Sequence, residues 1–291
     1  MNGDNALPQQ IAIYWLIAQI FGLVGAPLAA RLFGALPDRG YAFAKSLGLL
    51  LTGYLAWMLA MLGLAPFGVG LVVVCALAVV IVGGLLRGAG GAALGIAALP
   101  QRALPDLGAL RLDLARWAQR RWRMVLGYEL VFGLALVFLA LLRAHAFESV
   151  GPDPWGTERP MDFAFFNAIR QGGSFPPHDP WLAGYSINYY YMGYLLMACV
   201  ALLGGQEPSV AYNLSLALIF ALAAIGVAGV VYNLVGLSEP TDRRKDVASA
   251  VTQSREDAKD EPTDRADFDE RQSPSVNRRA SIPRRHSSGG R

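Results

Sequence analysis

Apolar residues run along this chain in six stretches, approximately 11–30, 46–64, 67–86, 124–142, 187–204 and 209–236. Each approaches the ~20 consecutive apolar residues with which an α-helix crosses a bilayer. Inside hydrocarbon a helix satisfies its own backbone, so runs of this length predict an all-α, polytopic membrane protein of about six transmembrane helices. The polar intervals divide the chain into three N-terminal helices over 1–86 and a basic connection over 87–123. A core over 124–237 follows, with three helices and a structured loop at 143–186, and then a charged tail over 238–291.

Charge placement gives the expected orientation. The 87–123 connection carries Arg87, Arg102, Arg111, Arg116, Arg120, Arg121 and Arg123, which the positive-inside rule assigns to the cytoplasm. The 31–45 connection, with Arg31, Arg39 and Lys45, falls on the same side by alternation. The N-terminus and the 143–186 loop are then extracytoplasmic in a multi-pass protein of the cell membrane. Six spans also put the tail outside, an uncommon place for so charged a segment. The N-terminal MNGDNALPQQ lacks the positive region of a cleaved signal, so the first apolar run is expected to remain as a span. Leu107, Leu110, Leu114 and Trp117 recur at helical spacing among arginines, which predicts an amphipathic helix lying on the inner leaflet.

Composition agrees with the pattern. The chain is 54% hydrophobic and 16% charged, with mean hydropathy +0.36, which excludes an ordinary soluble domain. From Ser238 onward lie 12 of the 25 Lys+Arg and 11 of the 22 Asp+Glu, leaving 13 basic and 11 acidic residues for the body. A tail so poor in large apolar side chains cannot offset its ordering entropy and is expected to be disordered, as a solvated linker or the end of an interrupted reading frame. A net charge of +3, split between body and tail, gives no basis for nucleic-acid binding. Cys75 and Cys199 fall inside apolar runs without further ligands at metal spacing, so both read as small core residues. The many glycines in the spans read as sites of close helix packing.

Candidate chemistry concentrates in GTERPMDFAFFNAIRQGGSFPPHDPWLAGYSINYYYMGY, residues 156–194. Pro152, Pro154, Pro160, Pro176, Pro177 and Pro180 stiffen this region. TERPMDFAFFNAIRQGG predicts a short helix, capped by Thr157 and ended by Gly172-Gly173. On it Glu158 and Asp162 stand four residues apart on one face, which for Asp162 also holds Phe165, Phe166 and Ile169. Two carboxylates on a face turned to the membrane body cost free energy that an arginine, a metal or a substrate cation offsets. Arg159 and Arg170 are the local partners, and a structural salt bridge stands beside the catalytic reading. His178 and Asp179 read either as a base with its neighbour or as a turn in which Asp179 caps the next segment. Asn188, Tyr189, Tyr190 and Tyr191 open the fifth span. An aromatic belt explains part of this, but three consecutive tyrosines surround most of a helix, so Asn188 and at least one phenol are expected to face the interior and bind hydroxyls or a phosphate. Glu129 lies well inside the fourth span, where a carboxylate either works or is paired. The Asn213 sequon lies within a span and carries no weight.

Several of these motifs occur together elsewhere. LPDRGYAFAKSLGLLL (36–51), GYELVF around Glu129, GTERPMDFAFFNA (156–168), FPPHDPWLAG (175–184) and INYYYMG (187–193) resemble the YYY membrane protein family, large prokaryotic polytopic proteins of unassigned function. The resemblance covers roughly residues 10–236, and because its members are typically longer it implies that this chain is an N-terminal portion. The layout also looks like the GT-C membrane glycosyltransferases, in which an outward-leading helix enters an extracytoplasmic loop with an acidic residue. The resemblance implies that Asp162, with Glu158, acts as base or holds a divalent metal while a sugar leaves a polyprenyl-phosphate carrier. It puts Tyr189–Tyr191 near the donor phosphate, with Arg159, His178 and Asp179 in the substrate-binding set. Membrane lipid is the implied surroundings. A non-enzymatic transport or envelope-assembly protein, and an inactive fragment, are the alternative readings.

Overall fold

A computed structural model describes residues 6–88, 115–145 and 158–238. It is helical almost throughout. Its principal helices are α1 (Ala6–Leu32), α2 (Tyr41–Met61), α3 (Val69–Gly88), α4 (Trp122–His145), α5 (Arg159–Gly172), α6 (Met192–Gly204) and α7 (Pro208–Ser238), and residues 115–120 are helical as well. No strand forms among the described residues, and the one pairing of extended backbone is an isolated bridge between His178 and Ser186. Five helices, α1, α2, α3, α4 and α7, are long and apolar enough to cross a membrane. The loop proline pair 152/154, Thr157, and Leu107, Leu110 and Leu114 of the amphipathic segment lie outside the described residues, as does the tail.

The core of the bundle is the antiparallel pair α1–α2. Its close approach rests on glycine: a Cβ on Gly25 would run into the Ala44 carbonyl, and one on Gly48 into that of Phe21. Backbones that meet this closely gain dispersion contacts over the length of the crossing, the main attraction left between helices in lipid. Gly25→Val and Gly48→Val are therefore expected to cost about 1–3 kcal/mol each. Gly127→Ala, where a Cβ meets open space, is expected to be neutral or slightly stabilising. Thermal unfolding in detergent separates the two classes.

The fifth apolar run departs from expectation. Residues 187–191 are not helical, and α6 begins only at Met192 and spans 13 residues, about 20 Å against a hydrocarbon core of about 30 Å. Its first turn meets α2, where Leu195 and Leu196 approach Gly53. Its last residue, Gly204, lies against Tyr14 and Ile17 of α1. Gly22 lies beside Lys45 and Gly25 beside Ala44, so the Tyr14–Ile17 turn is level with the Gly53–Trp57 turn. Both ends of α6 are thus at one depth, and the helix runs across the bundle instead of through it. Leu195 and Met197 through Ala201 are buried, which explains why the run is as apolar as a span.

This changes the parity of the chain. The α1–α2 turn, the start of α4 and the end of α7 share one end of the bundle. There Asn233 Oδ1 accepts a hydrogen bond from the Asp38 amide at 3.2 Å, Tyr128 packs edge-on against Tyr232, and Tyr41 packs on Trp117. The start of α1, α5, α6 and the start of α7 share the other end, where the Tyr14 hydroxyl donates to the Ala211 carbonyl at 3.0 Å. With five crossings, α7 ends beside the basic turn and not opposite it.

Several polar groups inside the bundle are matched, although the fully buried Thr52 hydroxyl has no hydrogen-bond partner. Asp38 is fully buried and accepts from the amides of Gly40 and Ala42 and from the Tyr128 hydroxyl. It thereby closes the turn in which Arg39 and Gly40 take positive φ. Lys45, counted above among the loop charges, is instead in the first turns of α2 and only 3% exposed. Its ammonium meets Glu129 Oε1 at 2.5 Å. Glu129 also accepts from Tyr41 and from Gln19, each at 2.8 Å.

Candidate functional site at the acidic end

Helix α5 is positioned by its apolar face. Phe165, Phe166 and Ile169 are buried, and Phe163 and Phe166 pack edge-on against Tyr212 of α7. Gly173 ends the helix at φ 65°, a left-handed position that glycine takes without steric cost. Its carbonyl accepts from the Phe67 amide at 2.7 Å, which ties α5 to the α2–α3 connection. Phe175 then bridges Phe67 and Tyr191 through ring contacts. At the other end Glu158 occupies the cap position without a side-chain cap bond.

Asp162 is half-buried in the first turn of α5. Its Oδ1 accepts from the Tyr194 hydroxyl at 2.5 Å. Exposed Glu158 accepts from Tyr189 across a long 3.5 Å contact, and its carboxylate raises the Tyr189 phenol above the ordinary tyrosine value. The hydrogen bonds to both acids therefore come from phenols. Arg170 reaches away, to the Gln206 carbonyl at 3.4 Å. Arg159 lies within electrostatic reach of Arg143 and of Tyr212, and Tyr212 in turn of Asp162.

The tyrosine triplet sits on bends and a turn before α6, so the expectation of tyrosines spread around a helix is corrected. Asn188 faces out, Tyr190 is 84% exposed, and Tyr189 and Tyr190 pack edge-on at 4.7 Å. Tyr191 turns inward and accepts from Trp57 Nε1 at 2.8 Å. Between them is a cleft of about 650 Å³ lined by Trp57, Asn188, Tyr189, Tyr190, Tyr191 and Met192. Aromatic faces with a few amide and hydroxyl groups suit a ligand that is apolar on one side and hydroxylated on the other.

His178 is exposed, and its backbone pairs with Ser186. Asp179 Oδ1 accepts from the amides of Trp181 and Leu182 at 2.8 and 3.2 Å, the capping role that the turn reading assigned it. The two close a small hairpin that carries exposed Trp181, Leu182 and Tyr185 beside the cleft. Glu129 is at the opposite end of α4, paired with Lys45. No group of three or more His, Cys, Asp or Glu side chains gathers to hold a metal among the described residues. Cys75 and Cys199 are buried free thiols.

Sequence reasoning passed over four residues here. Tyr194 is separated by 32 residues from the carboxylate it binds, and Trp57 by 134 from Tyr191. Arg143 Nε donates to Asn213 Oδ1 at 2.7 Å, which gives the dismissed asparagine a role. An arginine in the last turn of a span, at headgroup depth, was the available signal.

No curated protein and no solved structure matches the chain. The profile of an uncharacterized membrane protein family, DUF2298, matches residues 51–254. That match contains Glu129, the 156–194 segment and all of α4–α7. It omits most of the 36–51 motif and continues beyond α7 into residues expected to be unrelated tail. With well over half its length matched, the chain belongs to the DUF2298 family of uncharacterized membrane proteins.

Proposed function

We propose that this chain is a YYY-type, GT-C-like membrane protein that transfers a sugar from a polyprenyl-phosphate donor on the extracytoplasmic side. The observation that carries the reading is the half-buried Asp162 carboxylate, held by Tyr194 beside an aromatic, hydroxyl-lined cleft at one end of the bundle. In this reading Asp162 takes the proton from an acceptor hydroxyl. The freed oxygen pair forms the new bond to the anomeric carbon, and the bond from that carbon to the phosphate oxygen breaks. Its electron pair leaves with the lipid phosphate. Tyr194 holds the carboxylate, Glu158 and Tyr189 line the approach, and Trp57 with Tyr190 offers faces for a sugar ring. The GT-C likeness is one of layout, and layout alone does not assign chemistry. The test is transfer of labelled sugar from a polyprenyl-phosphate donor by the purified protein in lipid nanodiscs. Unconsumed donor across envelope acceptors overturns the reading. The buried Lys45–Glu129 pair favours a second reading, transport or envelope assembly, because intramembrane ion pairs recur on solute and proton paths.

The sidedness belongs to the same proposal. Arg31, Arg39, Arg116, Arg120, Arg121 and Arg123 cluster at the end opposite α5, which supports a cytoplasmic assignment for that end. Ser238 then faces the cytoplasm as well, which removes the anomaly of a charged tail outside. Single cysteines at Ala109 and Ser238 are expected to react only after permeabilisation, and one at Ser174 in intact cells. Labelling of Ser238 from outside would restore the six-span map.

A further inference from the structure

The hairpin over 176–187 is rooted level with the ends of two spans. On its incoming side Phe175 packs on Phe67, two residues before α3 begins at Val69. On its outgoing side Tyr191 accepts from Trp57 Nε1, one turn before α2 ends at Met61. Between these anchors the backbone bonds itself. The Ile187 amide donates to the Pro177 carbonyl and the Asp179 amide to that of Tyr185, each at 2.9 Å, while Asp179 Oδ1 takes the amides of Trp181 and Leu182. The side chains are left without such cover. Trp181, Leu182 and Tyr185 are each more than half exposed, and no charged residue occurs from Pro180 to Tyr191. The α2–α3 connection that anchors the root exposes Leu62 and Leu64 in the same way.

We infer that the Trp181–Tyr185 tip lies in the lipid leaflet at the acidic end, its rings at the boundary between headgroups and acyl chains. In water the tip would leave an indole, a phenol and a leucine side chain uncovered side by side. Rings that carry one polar atom are the side chains that settle at headgroup depth. A hairpin that bonds much of its own backbone enters that layer with fewer polar groups to desolvate. The occupant is lipid and not a second protein surface, because both anchors stand where α2 and α3 leave the hydrocarbon. The tip is thus continuous with the lipid-facing wall of those helices. Trp57 and Tyr191 also line the cleft, which therefore opens at headgroup depth, where an amphiphilic ligand reaches it from the leaflet. A transporter would hold the hairpin there as a transferase does.

The test places an environment-sensitive nitrobenzoxadiazole label on Leu182→Cys, with the protein reconstituted into phosphatidylcholine vesicles. Leu182 is exposed, so the variant is expected to melt as wild type does. Cys75 and Cys199 are buried thiols, and wild type labelled in parallel gives their background. Phosphatidylcholine with a nitroxide near its headgroup is expected to dim the label at least about twofold, and a nitroxide deep in the acyl chain to dim it less. The paired change Trp181→Ala with Tyr185→Ala is the second arm. Without its flanking rings the label is expected to lose about half of that quenching. Emission that neither nitroxide lowers overturns the inference. Soluble iodide then tells whether the tip stands in water or is covered by protein, a second copy included. Quenching that survives loss of both rings overturns their role as the anchor.

Discussion

Glu129→Leu is expected to destabilise the bundle by about 3–5 kcal/mol, the usual effect of removing one partner from a buried ion pair. The Lys45 ammonium would remain, 3% exposed, beside the rings of Tyr41 and Phe132 at 5.4 and 5.1 Å from their centroids. Ring faces compensate a cation only partly. Gln19 and Tyr41 would lose their shared acceptor at the same time. A fall in melting temperature on the order of 10 °C follows. The paired change Lys45→Met with Glu129→Leu removes both charges and restores apolar packing, so it is expected to recover most of the loss. If the double variant recovers stability and retains transfer, the pair is structural. If it is stable and inactive, the pair takes part in transfer and is more than structural.

Asp162→Asn is expected to lower the rate of transfer by about 10²–10⁴-fold, the range that a positioned base contributes. Asparagine keeps the shape, and its Oδ1 still accepts from Tyr194, so the melting temperature is expected to stay near that of wild type. What it lacks is the capacity to take up the acceptor proton. Tyr194→Phe tests the positioning: it removes one hydrogen bond to a charged group, worth roughly 1.5–3 kcal/mol, and is expected to reduce the rate about tenfold without abolishing it. Both rates are read from single-turnover transfer of labelled sugar.

The fold was legible in the sequence where a single signal was decisive. A run of apolar residues with the length of a bilayer predicts a helix without further information, and α1, α2, α3, α4 and α7 follow. The short helix from Arg159 to Gly172 could be read from its proline at the start and glycines at the end. α6 could not be read. A helix buried on all sides inside a bundle and a helix bathed in lipid have the same composition, and only depth against Gly53 and Ile17 tells them apart. That one substitution of a crossing helix for a span reversed the expected side of α7's end.

The candidate site was legible as a segment and not as a set of contacts. Asp162 and Glu158 stand out locally because acids are rare in so apolar a chain. Their pairing does not, since Tyr194 and Tyr189 reach the two acids from 32 and 31 residues away, and Trp57, which holds Tyr191, lies farther still. Local reasoning therefore offered Arg170, on the same helix, which the fold turns toward Gln206. Lys45 misled in the opposite way: its position at the edge of a span suggested a loop charge, while the partner that draws it inside, Glu129, is 84 residues on.

The most direct measurement of the central claim is the ratio of transfer rates for wild type and Asp162→Asn, taken with a labelled polyprenyl-phosphate sugar in nanodiscs and with both proteins folded to the same melting temperature. The account predicts transfer by wild type and a rate at least about 10²-fold lower for the variant. Equal rates in the two proteins would contradict it.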